Sequence, residues 1–210
     1  MNNSGSSFHY KNLHIYLHPQ VYEPAEDSFH LLESIDVQPQ HMVLEIGTGC
    51  GLIALACAAK GASVLCTDIN PYAILLVQKN IKENQHLLKG SIQVKQADMF
   101  SAVKHDQRFD RIIFNPPYLP ETTQDPLPES YWLDIATLGG EDGLAQTKRF
   151  IQKLSSYLYD TGLAYTFISS LSDEKKVQKL LSRSDLLYKN IKTILLDDER
   201  LFLYRLKKRK

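Results

Sequence analysis

The residues best equipped for chemistry are Asn115-Pro116-Pro117-Tyr118, which follow the largely apolar run from Phe109 to Phe114 directly. Each proline fixes its own φ at about −65°, and Pro117 also restricts Pro116, so a rigid backbone is built into the tetrapeptide. Neither proline has an N–H to donate. What the segment offers is acceptors, the Asn115 side-chain oxygen and the Pro116 carbonyl, beside the flat ring of Tyr118. Two acceptors and a ring suit an NH2 group on a planar carrier, either a carboxamide or an adenine. The same residues also serve simply to end a strand and open a loop. The rest of the chain decides between the two.

A second set of residues surrounds a glycine turn. Met42-Val43-Leu44-Glu45-Ile46 is a short buried strand running into Gly47-Thr48-Gly49-Cys50-Gly51, and a helical run follows from Leu52 to Lys60. Strand, glycine turn and helix make a cofactor-binding arrangement. A dinucleotide fingerprint needs glycines at first, third and sixth positions, whereas here they fall at 47, 49 and 51, and position 52 is leucine. Glu45 stands just before the turn, where a carboxylate repels a pyrophosphate and attracts a cation or an amine. S-adenosylmethionine carries both, as a sulfonium and an α-amino group. Asp68 ends the next strand and is placed to accept from two ribose hydroxyls, a charged pairing worth about 1.5–3 kcal/mol. Asp98 ends the third strand and is placed to take the exocyclic amine of an adenine. Either aspartate alone is equally a turn former or helix cap, as in Asp68-Ile69-Asn70-Pro71. Acids at successive strand ends around one glycine turn describe a nucleoside pocket.

The elements that must position these residues alternate. Phe29, Leu32 and Ile35 recur at threes along an amphipathic helix over Val21 to Ile35, with acidic residues near its start. After the glycine turn, Ser63 to Thr67 is a strand and Pro71 opens a helix reaching Asn84. Ile92 to Gln96 and Arg111 to Phe114 are two further strands. A long loop from Leu119 to Asp142 has the length of a lid or binding loop, and Tyr131 and Trp132 are its apolar contacts for a substrate or for the core. Gly143 to Tyr159 is a helix, Gly162 to Ser169 a strand, Asp173 to Ser182 a helix. Leu186 to Leu195 and Leu201 to Leu206 pair as a hairpin across Asp197-Asp198-Glu199-Arg200. This predicts an α/β fold closing on an antiparallel pair, with residues 1–20 as an N-terminal tail and 21–210 as one domain.

Composition narrows the classes. Hydrophobic residues make up 43% and charged residues 23%, and no apolar run approaches the roughly 20 residues of a membrane span. The polar start Met1 to Ser7 lacks the apolar core of a signal peptide, and a cytoplasmic location is expected. Cys50, Cys57 and Cys66 show no Cys-x-x-Cys spacing, so they read as small core residues in a reducing compartment. No metal ligand is assigned among the seven histidines, which are scattered along the chain. Lys plus Arg equal Asp plus Glu at 24 each, without the excess of a dedicated nucleic-acid binder, and the basic end Leu206 to Lys210 reads as a solvated tail.

Taken together, Glu45 to Gly51, Asp68, Asp98 and Asn115-Pro116-Pro117-Tyr118 resemble the class I S-adenosylmethionine-dependent methyltransferases in their amino-methylating branch. Within it the chain is similar to the HemK family of release-factor glutamine methyltransferases, and Val21 to Phe29 resembles the opening motif of the eukaryotic and archaeal subgroup. Ser28 stands where relatives often have threonine and keeps the hydroxyl. Gly139-Gly140-Glu141-Asp142-Gly143 resembles a glycine segment that follows the catalytic loop in this family. The resemblance implies a Rossmann-like, seven-stranded, mostly parallel sheet with helices on both faces and a C-terminal antiparallel hairpin. It implies cofactor binding by Ser28, Glu45, Gly47, Gly49, Gly51, Asp68, Ile69, Asp98, Met99 and Asn115. Asn115, Pro116 and Tyr118 would be catalytic, and with Pro117 would hold the acceptor. The acceptor would be the glutamine of the Gly-Gly-Gln loop in a class 1 translation termination factor. A small zinc-binding activator that pairs along a sheet edge is the expected partner, at the third strand. Two alternatives stay open, an amino-methyltransferase acting on a nucleic-acid base and a nucleoside-binding subunit without catalysis.

Overall fold

A computed structural model describes residues 6–121, 131–196 and 198–209 of the chain. Two units make it up, Met1–Ala102 and Val103–Lys210.

In the first unit an antiparallel pair, β1 (Ser7–Tyr10) and β2 (Leu13–Tyr16), precedes α1 (Glu26–Ser34). The tail expected over 1–20 therefore carries a hairpin, and the reason is non-local. Asn80 and Asn84 offer side-chain amides to the open edge of β2, each accepting from a backbone N–H (Tyr16, 2.9 Å; His14, 2.9 Å) and donating to a carbonyl of the same residue. Leu13 and Ile15 are buried beneath that edge. The helix begins at Glu26 rather than Val21, because Pro24 disfavours helical backbone at Glu23 and the N-cap Ala25 is extended.

β3 (Met42–Ile46), α2 (Leu52–Ala59), β4 (Ser63–Asp68), α3 (Pro71–Asn84) and β5 (Ser91–Gln96) follow. Both strand pairs are parallel, with Glu45 opposite Cys66 and Asp68 opposite Gln96, so all three strands end on one side. Residues 52–58 of α2 are buried all round, while α3 is capped by Asn70, whose side chain accepts from Tyr72 N–H, with Pro71 in its first turn. The three cysteines are buried, as expected of small core residues.

The second unit holds β6 (Phe109–Phe114), α4 (Tyr131–Thr137), α5 (Ala145–Tyr157), β7 (Leu158–Ser169), α6 (Glu174–Ser182), β8 (Leu186–Leu196) and β9 (Glu199–Lys208). Three boundaries depart from expectation. The loop over 119–142 contains α4, a helix of only 7 residues, none of them fully buried and too few to show a helical period; residues 122–130 of that loop lie outside the described residues. The strand expected from Gly162 begins at Leu158, because a register shift between Phe109 and Arg111 accommodates the exposed Tyr159, Asp160 and Thr161. The basic end is no solvated tail up to Lys208, since Leu206 is fully buried and Lys208 pairs with Leu186; Lys210 lies outside the described residues, as does position 197 of the hairpin turn.

The fold is α/β. Seven strands run in the order β5-β4-β3-β6-β7-β9-β8, with β6 to β7 parallel and β9 antiparallel to both of its neighbours, β7 and β8. β5 is at an edge. Among the described residues no helix is long and apolar enough to cross a membrane.

Candidate active site

The glycine turn after β3 is held open by left-handed backbone at Gly47 (φ 67°), Gly49 (φ 56°) and Gly51 (φ 83°), a conformation that costs an ordinary residue about 1–2 kcal/mol. Thr48 N–H donates to the Thr67 carbonyl (3.0 Å) and Gly51 N–H to the Thr48 carbonyl (2.9 Å), so the turn is pinned to the end of β4. A Cβ on Gly49 would sit 3.9 Å from Val21 and 4.0 Å from the Tyr22 carbonyl, which places the start of the Val21 to Phe29 motif beside the turn.

Glu45 is 3% exposed, and its Oε2 accepts from the Thr48 hydroxyl at 2.7 Å. Burial pushes its carboxyl up to about 8, against the Thr48 and Ala54 hydrogen bonds that lower it, and the nearby Asp68 charge adds to the rise. Among the described residues no cation lowers this carboxyl. Asp68 Oδ2 accepts from Gly49 N–H (2.9 Å) and Oδ1 from Asn70 N–H (2.9 Å). Burial raises this carboxyl too, and the backbone donors of Asn70, Gly49 and Ile69 oppose the rise. A carboxylate has about four lone-pair sites, so three backbone donors still leave acceptor capacity at Asp68.

Beyond Asp68, Ile69 is 44% exposed and Tyr72 stacks on His18 with ring centroids 5.0 Å apart. Asn70 Nδ2 donates to the Gln20 carbonyl at 2.7 Å, tying the segment before α1 to the end of β4. Ala97 N–H donates to the Asp68 carbonyl, which brings the end of β5 alongside. There Asp98 is exposed, and Met99 is buried with a left-handed φ of 52°, a strained backbone of the kind that clusters at functional sites. Ser28 is buried, and its hydroxyl donates to Asp27 at 3.2 Å. The first unit thus joins Glu45, Gly49 and Asp68 through hydrogen bonds, with Ile69, Asp98 and Met99 on the same strand ends. Thr48, which holds the Glu45 carboxyl and the turn, escaped the sequence reading, and Asn70 entered it only within a turn or helix cap; hydroxyl and amide residues just after a strand-end acid were the available signal.

In the second unit β6 delivers Asn115-Pro116-Pro117-Tyr118. Asn115 is half-buried with its Oδ1 inaccessible, Pro116 is buried, and Pro117 and Tyr118 are half-buried. The end of β6 is anchored by Phe114 against Phe150 of α5, centroids 5.1 Å apart. Immediately downstream, Leu119 N–H donates to the Thr137 carbonyl (3.0 Å) and Gly139 N–H to the Leu119 carbonyl (2.7 Å), a short parallel bridge between Leu119 and Leu138. Tyr131 is 53% exposed and meets Trp132 edge to face, so Tyr131 is not a core residue. Among the described residues no group of His, Cys, Asp and Glu gathers as a metal site.

Comparison with known proteins bears on this geometry. The family model of the methyltransferase small domain matches residues 20–126. Over 161 residues the chain is 46% identical to a Methanocaldococcus jannaschii protein named, provisionally, as a protein N5-glutamine methyltransferase, covering 76% of this chain and 78% of that one. It is 28% identical over 176 residues to human methyltransferase HEMK2, covering 79% of each. Among solved structures, the complex of E. cuniculi Mtq2 and Trm112, described as responsible for methylation of the eRF1 termination factor, superposes with a TM-score of 0.63 at 23% identity, covering 90% of this chain and 99% of that one, a likeness of fold.

Proposed function

The chain belongs to the methyltransferase small-domain family, and we propose that it moves a methyl group from S-adenosylmethionine to the side-chain amide of a glutamine in the Gly-Gly-Gln loop of a class 1 translation termination factor. The product is N(5)-methylglutamine. The observation that carries the acceptor is the Asn115-Pro116-Pro117-Tyr118 segment, whose two prolines have no N–H to donate, in a chain 46% identical to a protein named for glutamine methylation.

The glycine turn fits the cofactor. A buried Glu45 with no cation beside it suits a ligand bearing a sulfonium and an ammonium. Asp68, with spare acceptor capacity, would take ribose hydroxyls, and the exposed Ile69 with the strand-end residues Asp98 and Met99 would hold the adenine. When bound, the cofactor supplies an electrophilic methyl group. The chain's own part is positioning, because an amide nitrogen has a delocalised lone pair and attacks poorly unless held in line and kept from water. The Asn115 side-chain oxygen, inaccessible in this structure and exposed on entry of the acceptor, and the Pro116 carbonyl would each accept one amide N–H, directing the lone pair and stabilising positive charge as it grows on nitrogen. Tyr118 would cover the amide plane or the cation, a contact worth about 0.5–2 kcal/mol.

The proposed reading has two further parts. A small zinc-binding partner protein would pair along the β5 edge, as the complex of Mtq2 with Trm112 prompts. The enzyme would work in the cytoplasm, where termination factors act. The test is transfer from methyl-labelled cofactor to purified termination factor, to its Gln-to-Ala variant, to tRNA and to DNA, with and without the partner. Label on the factor alone, lost in the variant, is expected; label on nucleic acid alone overturns the choice of acceptor.

A further inference from the structure

The segment Gly139 to Gly143 is pressed onto the backbone of the acceptor loop. A Cβ on Gly139 would stand 2.5 Å from the Pro117 carbonyl oxygen, and one on Gly143 would collide with the Tyr118 carbonyl oxygen. Glu121 N–H donates to the Gly140 carbonyl (3.0 Å) and Ala145 N–H to the Gly139 carbonyl (2.8 Å), so the segment follows the loop on one side and α5 on the other. Asp142 lies within it, its side chain 19% exposed. Its Oδ2 accepts from Lys148 of α5 at 2.8 Å and from Lys176 of α6 at 3.2 Å, and its Oδ1 from Leu144 N–H at 3.1 Å. Three donors from two helices and the chain itself hold one carboxylate, and the hydrogen bond from Lys148 first of all keeps it well ionised.

We propose that Asp142, through Lys148 and Lys176, is a positioning residue for methyl transfer. It locks Gly139 and Gly143 against the carbonyls of Pro117 and Tyr118 and so fixes the direction in which Asn115 and Pro116 present their acceptors. The effect on turnover rests on the function proposed above; the effect on the loop does not. Small misplacement of a positioned group is enough to slow a reaction substantially.

The experiment compares wild type, Asp142→Ala and Lys148→Met/Lys176→Met, with Lys148→Arg/Lys176→Arg as the conservative variant. Amide hydrogen exchange at Leu119, Glu121 and Gly139 is measured beside turnover on the termination factor and KM for the cofactor. The expected result is exchange about 10-fold faster at those amides alone, kcat lowered about 10-fold, KM for the cofactor unchanged, and both effects reversed in the arginine variant. Should Asp142→Ala unfold, the methionine variant carries the comparison, since it keeps the backbone and the Leu144 hydrogen bond. Unchanged exchange and unchanged kcat overturn the proposal, as does a uniform rise in exchange across the chain that arginine does not reverse. If wild type methylates no glutamine, the proposed function fails by itself and the exchange rates alone decide on the clamp.

Discussion

Glu45, buried, and Asp142, half-buried, are both carboxyls beside glycine-rich segments, and their surroundings are opposite. Asp142 accepts from two lysines, which hold its carboxyl down to about 2; Glu45 has a threonine hydroxyl and backbone for company and rises to about 8. A charge met by cations of its own chain is a structural fixture, whereas a buried acid held only by a hydroxyl and backbone is poised for a partner from outside. The glycines differ in the same sense. Gly49 is needed for its left-handed backbone and leaves ordinary van der Waals room around a Cβ, whereas Gly139 has no room at all against the Pro117 carbonyl. One glycine segment shapes a cradle, and the other is a spacer-free brace.

The sharpest break of this comparison is Asn115→Ala, in the acceptor loop that follows β6. Turnover falls about 10²–10³-fold on loss of one transition-state hydrogen bond, while cofactor affinity by calorimetry stays close to wild type. Comparable loss of both would erase the division of labour. Next in size, Gly139→Ala overpacks the brace and costs about 1–3 kcal/mol in thermal or urea unfolding. Gly49→Ala, penalised by its positive φ only, costs about 1–2 kcal/mol and shows the loss in cofactor binding as well.

The two carboxyls also give pH dependences of opposite sign. Folded Glu45 keeps its proton up to about pH 8, whereas the unfolded chain releases it near 4.5, so between those values the folded state binds more protons and stability falls as pH rises. Folded Asp142 stays ionised to about pH 2 against an ordinary 3.8, so its contribution is whole above 3.8 and is lost as pH falls toward 2. Unfolding measured from pH 2 to 8 should show both slopes, with Glu45→Gln flattening the upper and Asp142→Asn the lower.

Much of this was legible in the residues themselves. Asn70-Pro71 announces the start of α3, the strand-end acids mark the carboxyl edges of β3, β4 and β5, and Asn115 to Tyr118 closes β6 as expected. What escaped depends on partners far along the chain. The β1–β2 hairpin is fixed by Asn80 and Asn84, 64 and 70 residues away, and nothing in residues 7–16 foretells them. The extension of β7 back to Leu158 depends on a register shift against β6, and α4 is a single short helix with no buried face. Gly139 and Gly143 were visible as a glycine segment, but their contact with the Pro117 and Tyr118 carbonyls is a tertiary fact.

The central claim is that the cradle around Glu45 and Asp68 receives the cationic methyl donor. Cofactor binding measured by calorimetry at pH 7, in buffers of different ionisation enthalpy, counts the protons exchanged. A protonated Glu45 meeting a sulfonium and an ammonium should give up its proton, so wild type is predicted to release close to one proton per cofactor bound and Glu45→Gln none, with weaker binding. Equal affinity and equal proton counts in the two proteins would contradict the account.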